Sequence, residues 1–144
     1  MTIARQSIHV DTNQLSDELF LMQFENQTLS PVHFSHIGHL RLAWLYLNHY
    51  DVETAAQRTC TGIKRYAESL GAHTKFHLTI TDSLVRIMAG RVNQSQATSW
   101  LAFLADNQDL VDDAIAVLLL YFSRDVLFSE SARTTLAAPD IQPI

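Results

Sequence analysis

Cysteine is nearly missing from this chain. Cys60 stands alone among 144 residues, so no disulfide can close within the chain and no thiolate cluster can hold a metal. Charge is sparse as well: 17% of the residues are charged, against about 25% in an average globular protein. The basic residues form no run, and Arg58, Lys64 and Arg65 are too few to track a phosphate backbone. The net charge of −5 has the wrong sign for it. These features exclude nucleic acid as a partner. The longest apolar run, Ala114 to Phe122, is nine residues, whereas a membrane span needs about 20. Residues 1–14 carry polar side chains throughout and lack the apolar stretch of a signal peptide. The expectation is a soluble, cytoplasmic protein with no membrane partner. Glycine-rich phosphate loops, a Gly-x-Ser-x-Gly elbow and a His-Glu-x-x-His motif are all absent.

What the chain does have is apolar mass. Hydrophobic residues make up 47% of it, and a domain of this size buries roughly 68–70% of its unfolded surface. With only four glycines and three prolines, nothing divides the chain. It reads as a single helical domain over 1–144, with a polar N-terminal arm over 1–14 and an irregular tail over 129–144. The surplus of apolar surface suits a homodimer.

The apolar spacing is helical nearly everywhere. A first helix spans about Ser16 to Asn26, with Ser16 as N-cap and Asp17 and Glu18 in the favourable first turn. A second, about Ser35 to Tyr50, is apolar on almost every side, as a central helix is; only Arg41 and Asn48 mark a polar stripe. Asp51 caps a third helix to Leu70, and Gly71 supplies its stop. A fourth runs from about Lys75 to Ala89, ahead of Gly90. Ser95 caps a fifth that contains Trp100, Leu101, Phe103 and Leu104, and a sixth covers about Val111 to Phe122. A short turn near Ser129 precedes Pro139. No segment alternates as a strand would. The fold class is all-α, a compact single-domain bundle of five to six helices.

Six of the seven histidines fall between residues 33 and 77. At about 100° per residue, His36 and His39 lie roughly 60° apart on the second helix, one turn apart along it, and can reach a common point. His77 sits on the apolar face of the fourth helix, in line with Thr81 and Leu84. If those helices are neighbours, His36, His39 and His77 meet at one centre. Three imidazoles with an open position form the ligand set of a catalytic zinc site, and they also suit iron or copper. Thr81 and Tyr46 are candidate partners that orient the rings. His33, ahead of the helix, and His73, one residue before the expected N-cap Thr74, are weaker ligand candidates. His49 suits a helix C-terminus.

The competing reading is that each histidine is a neutral core residue with both nitrogens satisfied by neighbours. Carboxylates that would complete a site are weakly marked. Glu25 and Glu53 are within reach of the second helix, but Glu53 is better explained as a first-turn residue after Asp51. Asp106, Asp109, Asp112 and Asp113 read as loop and cap residues. Cys60 reads as a small buried filler rather than a nucleophile.

The segment Phe34-Ser35-His36-Ile37-Gly38-His39-Leu40-Arg41-Leu42-Ala43-Trp44, followed by Phe76-His77-Leu78-Thr79-Ile80-Thr81, resembles a family of small, uncharacterised bacterial all-helical proteins. The likeness extends from about Phe20 to Pro139-Asp140. It implies the same three histidines, His36, His39 and His77, and no activity. The family's second motif often carries Glu directly after its histidine, where this chain has Leu78. A ligand or general base supplied by that Glu would be missing here.

The functional expectation is therefore a metal ion (zinc, iron or copper) or a small ligand held at a histidine cluster. A metal-bound water in the open position would be acidified and able to act as nucleophile or base. The alternative is a non-enzymatic protein of dimerisation or partner interaction with structural core histidines. A third reading is an apolar pocket with His77 as a metal-free acid–base group. Rings whose nitrogens converge favour the metal; rings each bonded to a different backbone or hydroxyl group favour the structural role.

Overall fold

Ser16 opens the first helix through its hydroxyl, which accepts the Leu19 N–H at 3.1 Å, and α1 runs Asp17–Glu25. The computed structural model describes residues 15–72 and 75–144. The N-terminal arm with His9, and the candidates His73 and Thr74, lie outside the described residues. A 3-10 turn over Pro31–His33 leads into α2, His36–His49. Asp51 caps α3, Val52–Ser69, by accepting from Thr54 N–H at 2.8 Å.

Gly71 ends α3 as expected, at φ 73°. The N–H groups of Gly71 and Ala72 return to the carbonyls of Glu68 and Ala67 at 3.0 and 2.8 Å. This paired closure of a helix C-terminus needs a left-handed residue at that position.

The later helices are α4, Leu78–Gln94; α5, Trp100–Asp106; α6, Gln108–Asp112; α7, Ala114–Leu118; α8, Arg124–Leu127; and α9, Glu130–Thr134. Among the described residues there is no strand, and no helix is long and apolar enough to cross a membrane. The all-α expectation holds, with more and shorter helices than the spacing suggests. α4 starts later than Lys75 because His77 is its N-cap, and it continues through Gly90 to Gln94. The cap of α5 is Ser99 rather than Ser95. The expected sixth helix breaks at Asp113, whose backbone leaves helical geometry (φ −159°, ψ 80°) while its carboxylate accepts from Ala116 N–H at 3.0 Å.

Three long helices, α2, α3 and α4, pack pairwise on one another. α1 lies against α3, and α7 and α9 lie against α4. α2 is the innermost: every residue from Leu40 to Tyr46 is buried. That includes Arg41, so of the polar stripe expected there only Asn48 is solvated. Arg41 reaches out of the core at its Nη2, donating to the Leu15 carbonyl at 2.8 Å and to Asp17 at 2.9 Å. Its guanidinium lies 4.8 Å from the centroid of the Phe20 ring. α3 and α4 are joined at the surface by Arg86, which holds Glu53 at 2.7 Å and Asp82 at 2.6 Å.

Gly38 permits the tightest approach in the fold. A Cβ there would overlap the carbonyl of His33, in the turn that feeds α2. Gly90 is the opposite case, a helix-interior glycine with nothing near its missing side chain. Gly38→Ala should therefore destabilise by about 1–3 kcal/mol, the cost of overpacking. Gly90→Ala should stabilise by about 0.5–1 kcal/mol through helix propensity. Urea melts of the two variants check this: a neutral Gly38→Ala would mean that the turn yields at no cost.

Candidate functional site

The N-terminal end of α2 faces α3 and α4 across an apolar cavity of about 350 Å³. His36 and His39 line it together with Thr81 of α4 and Thr59 of α3, and Ile63, Leu84 and Met88 supply apolar wall. Two of the three histidines singled out by spacing are thus brought to one place, with one of the two residues named to orient them.

His39 is held from two directions. Its Nδ1–H donates to the Ser35 carbonyl at 2.8 Å, four residues back along the same helix. Its ring stacks on Phe34, centroids 4.1 Å apart and planes 27° from parallel. Phe34 in turn packs against Phe24 and Tyr66, and Tyr66 is pinned by donating to the Leu29 carbonyl at 2.8 Å. Because a carbonyl can only accept, Nδ1 carries the proton, and a neutral His39 presents Nε2 as a bare lone pair. Burial pushes the His39 pKa below the ordinary imidazole value of 6.5; the Ser35 carbonyl opposes that, and nearby His36 adds to it.

His36 is more exposed. Its Nε2–H donates to the Leu110 carbonyl at 2.8 Å, tying the start of α2 to α6. His77 does not join them. Its Nδ1 accepts from the Ile80 N–H at 3.1 Å, capping α4, while Nε2–H donates to the Leu127 carbonyl at 3.0 Å at the end of α8. Both nitrogens are engaged with backbone. Burial lowers the His77 pKa as well, with Arg133 pushing in the same direction against the Leu127 carbonyl.

The three-histidine metal centre is accordingly not assembled. Among the described residues, no group of three or more His, Cys, Asp or Glu side chains is placed to hold a metal ion. The reason is local. The cap places the His77 ring over the first turn of α4 and against α8, and the cavity wall takes Thr81 instead. Thr81 donates to the His77 carbonyl at 2.9 Å, so it fixes that turn and not the imidazole.

The other candidates also resolve. Tyr46 does not orient a histidine. It donates to Glu25 at 2.7 Å in a separate, polar cleft of about 520 Å³ that Arg58 and Arg65 also line. Burial and the Glu25 carboxylate push its pKa up. That larger cleft is polar, and its Arg58 is already over the Tyr50 ring at 4.4 Å. His33 lies in the 3-10 turn, with its Nδ1 buried and no hydrogen-bond partner among the described residues. It does not line the histidine cavity. His49 is exposed at the end of α2. Asp109 pairs with Arg91 at 2.8 Å, which holds its carboxyl below the usual range. Cys60 is buried with its thiol pushed up to about 12, chiefly by desolvation, which suits a filler and not a nucleophile.

Helical spacing places Thr59 on the apolar face of the third helix, with Ala55, Ala56 and Ile63, but does not mark it as a site residue. It is fully buried on α3, and its hydroxyl donates to the Ala55 carbonyl at 2.7 Å. A hydroxyl bonded back to its own helix lets threonine occupy an apolar face, so its position there does not distinguish a site from core. No known protein family, characterised protein or solved structure matches this chain.

The two lowered histidines set a pH dependence. A folded pKa below the unfolded value means that the unfolded chain binds protons more readily. The stabilisation is complete above about 6.5 and is lost as the pH falls through the lowered folded values. The melting temperature should therefore fall between pH 7 and pH 5, less steeply in His39→Gln and in His77→Asn. A flat profile in the wild type would show that neither ring is penalised by burial. At pH 7, His77→Ala should cost about 1 kcal/mol for the lost cap, whereas His77→Asn keeps most of it; equal losses in a urea melt would mean that the cap bond contributes nothing.

Proposed function

We propose that this protein binds a small, predominantly apolar molecule in the cavity between α2, α3 and α4, with His39 as its principal polar contact. One observation carries the reading. His39 has one nitrogen bonded to backbone and the other without a hydrogen-bond partner among the described residues, on the wall of a predominantly apolar cavity. The volume lies near the lower end of small-molecule sites, which are typically apolar clefts with a few placed polar groups. The stack on Phe34 and the bond to Ser35 fix the ring, so little side-chain entropy is lost when a ligand meets it. His36 and Thr81 complete the polar part of the wall. The residues involved are among those in the resemblance to small bacterial helical proteins.

A second reading is favoured by the same hydrogen bonds. His36 and His77 act as staples, joining α2 to α6 and α4 to α8 through backbone carbonyls. On that reading the protein is a non-enzymatic partner or self-association module. Exposed Leu101, Leu120 and Phe128 offer apolar surface for it.

Titration with indole, an apolar bicycle with one N–H, separates the two. Binding in the cavity should shift the methyl resonances of Ile63, Leu84 and Met88 and the imidazole resonances of His39, and His39→Phe should weaken the affinity. Indole shifts confined to surface residues, with those methyls unmoved, would overturn the ligand-binding reading.

A further inference from the structure

The hydrogen-bond ledger of the cavity wall names the ligand's chemistry more narrowly. Each polar side chain there has already spent a donor on a backbone carbonyl. His39 gives Nδ1–H to Ser35, His36 gives Nε2–H to Leu110, Thr59 gives its hydroxyl proton to Ala55, and Thr81 gives its own to His77. With neutral imidazoles, what remains is acceptor capacity, the second ring nitrogens of His39 and His36 and the Thr81 hydroxyl oxygen, since Thr59 is fully buried. None of the residues lining the cavity is Asp, Glu, Lys or Arg.

We infer that the cavity selects neutral molecules that donate hydrogen bonds from a compact apolar body, such as alcohols, phenols and N–H heterocycles, and discriminates against carboxylates and pure acceptors. This rests on the ligand-binding reading above. An acceptor brought into this wall would lose its water and meet no side-chain donor, and a buried polar group left unpaired is costly. A donor exchanges its water for the His39 lone pair. An ammonium has donors, but it would enter a low-polarity site with no carboxylate to balance its charge, a heavier desolvation cost. The α2 N-terminus makes the opposite demand, since a helix N-terminus favours an anion and Ser35 makes no side-chain cap bond there. The two influences make opposite demands, so the test is decisive.

Four probes of nearly the same shape separate them: p-cresol (a donor), 4-methylanisole (acceptor only), toluene (neither) and 4-methylbenzoate (an anion). Affinities are measured by NMR or calorimetry at pH 8, above the ordinary range of imidazole titration. The expected result is p-cresol tightest, roughly three- to tenfold over 4-methylanisole, the value of one hydrogen bond. That preference should vanish in His39→Phe. Equal binding of p-cresol, 4-methylanisole and toluene would overturn donor selection and leave the cavity reading standing. Tightest binding of 4-methylbenzoate would overturn donor selection in favour of the helix terminus. No binding of any probe would overturn both. A p-cresol preference that survives in His39→Phe would remove His39 as the acceptor. If that variant does not fold, the wild-type ranking alone still decides donor selection.

Discussion

A helix surrounded by protein on nearly every side must have each polar group it carries answered by a neighbour, and α2 imposes that constraint on the rest of this molecule. Leu40 to Tyr46 are buried without interruption. Arg41 is tolerated there because α1 delivers Asp17, the Leu15 carbonyl and the face of Phe20 to it. Tyr46 is tolerated because Glu25, at the other end of α1, accepts its hydroxyl. α1 is thus placed by two polar residues of α2 as much as by the burial of Phe20 and Phe24. Unpaired, the Arg41 guanidinium would cost several kcal/mol of desolvation. Asp17 is half exposed, so the ion pair itself adds little beyond settling where α1 lies.

The same constraint acts at the N-terminal end of α2, where the chain turns in through the His33–Phe34 segment. Gly38 lets that turn sit directly against the helix, and the close approach sets Phe34 under the His39 ring. Ser35 contributes its carbonyl rather than its hydroxyl. That carbonyl takes the backbone N–H of His39 at 3.0 Å and the ring N–H at 2.8 Å. The geometry of the candidate site therefore follows from packing: a glycine for approach, a phenylalanine for a platform, and a helix whose burial leaves few solvent partners for its side chains.

Much of this was legible in sequence where the signal is local. Ser16, Asp51 and Gly71 act within one turn of themselves, and each does what its position predicts. The apolar circumference of the second helix also announced its central place. The failures all depend on distant partners. Nothing near Arg41 reveals that Asp17, 24 residues away, will meet it in the core. His77 shares the helical spacing of Thr81 and Leu84, so periodicity places it inside a helix. In fact it caps one, because its second nitrogen satisfies the Leu127 carbonyl 50 residues on. The break at Asp113 is hidden by the apolar run that follows, which reads as one helix and folds as a short helix and a turn.

Counting engaged nitrogens separates the three histidines more sharply than their spacing does. His77 uses both on the backbone, and its lowered pKa follows from burial that also completes a cap. Such a ring has nothing left to offer a ligand without giving up fold. His36 uses one and is the more exposed of the two rings at the cavity. His39 uses one and is the less exposed of the pair, and the cavity it lines is walled by aliphatic carbon and by two threonines whose protons are committed elsewhere. Of the three rings, only His39 combines a fixed orientation, partial shielding and an uncommitted nitrogen beside the cavity.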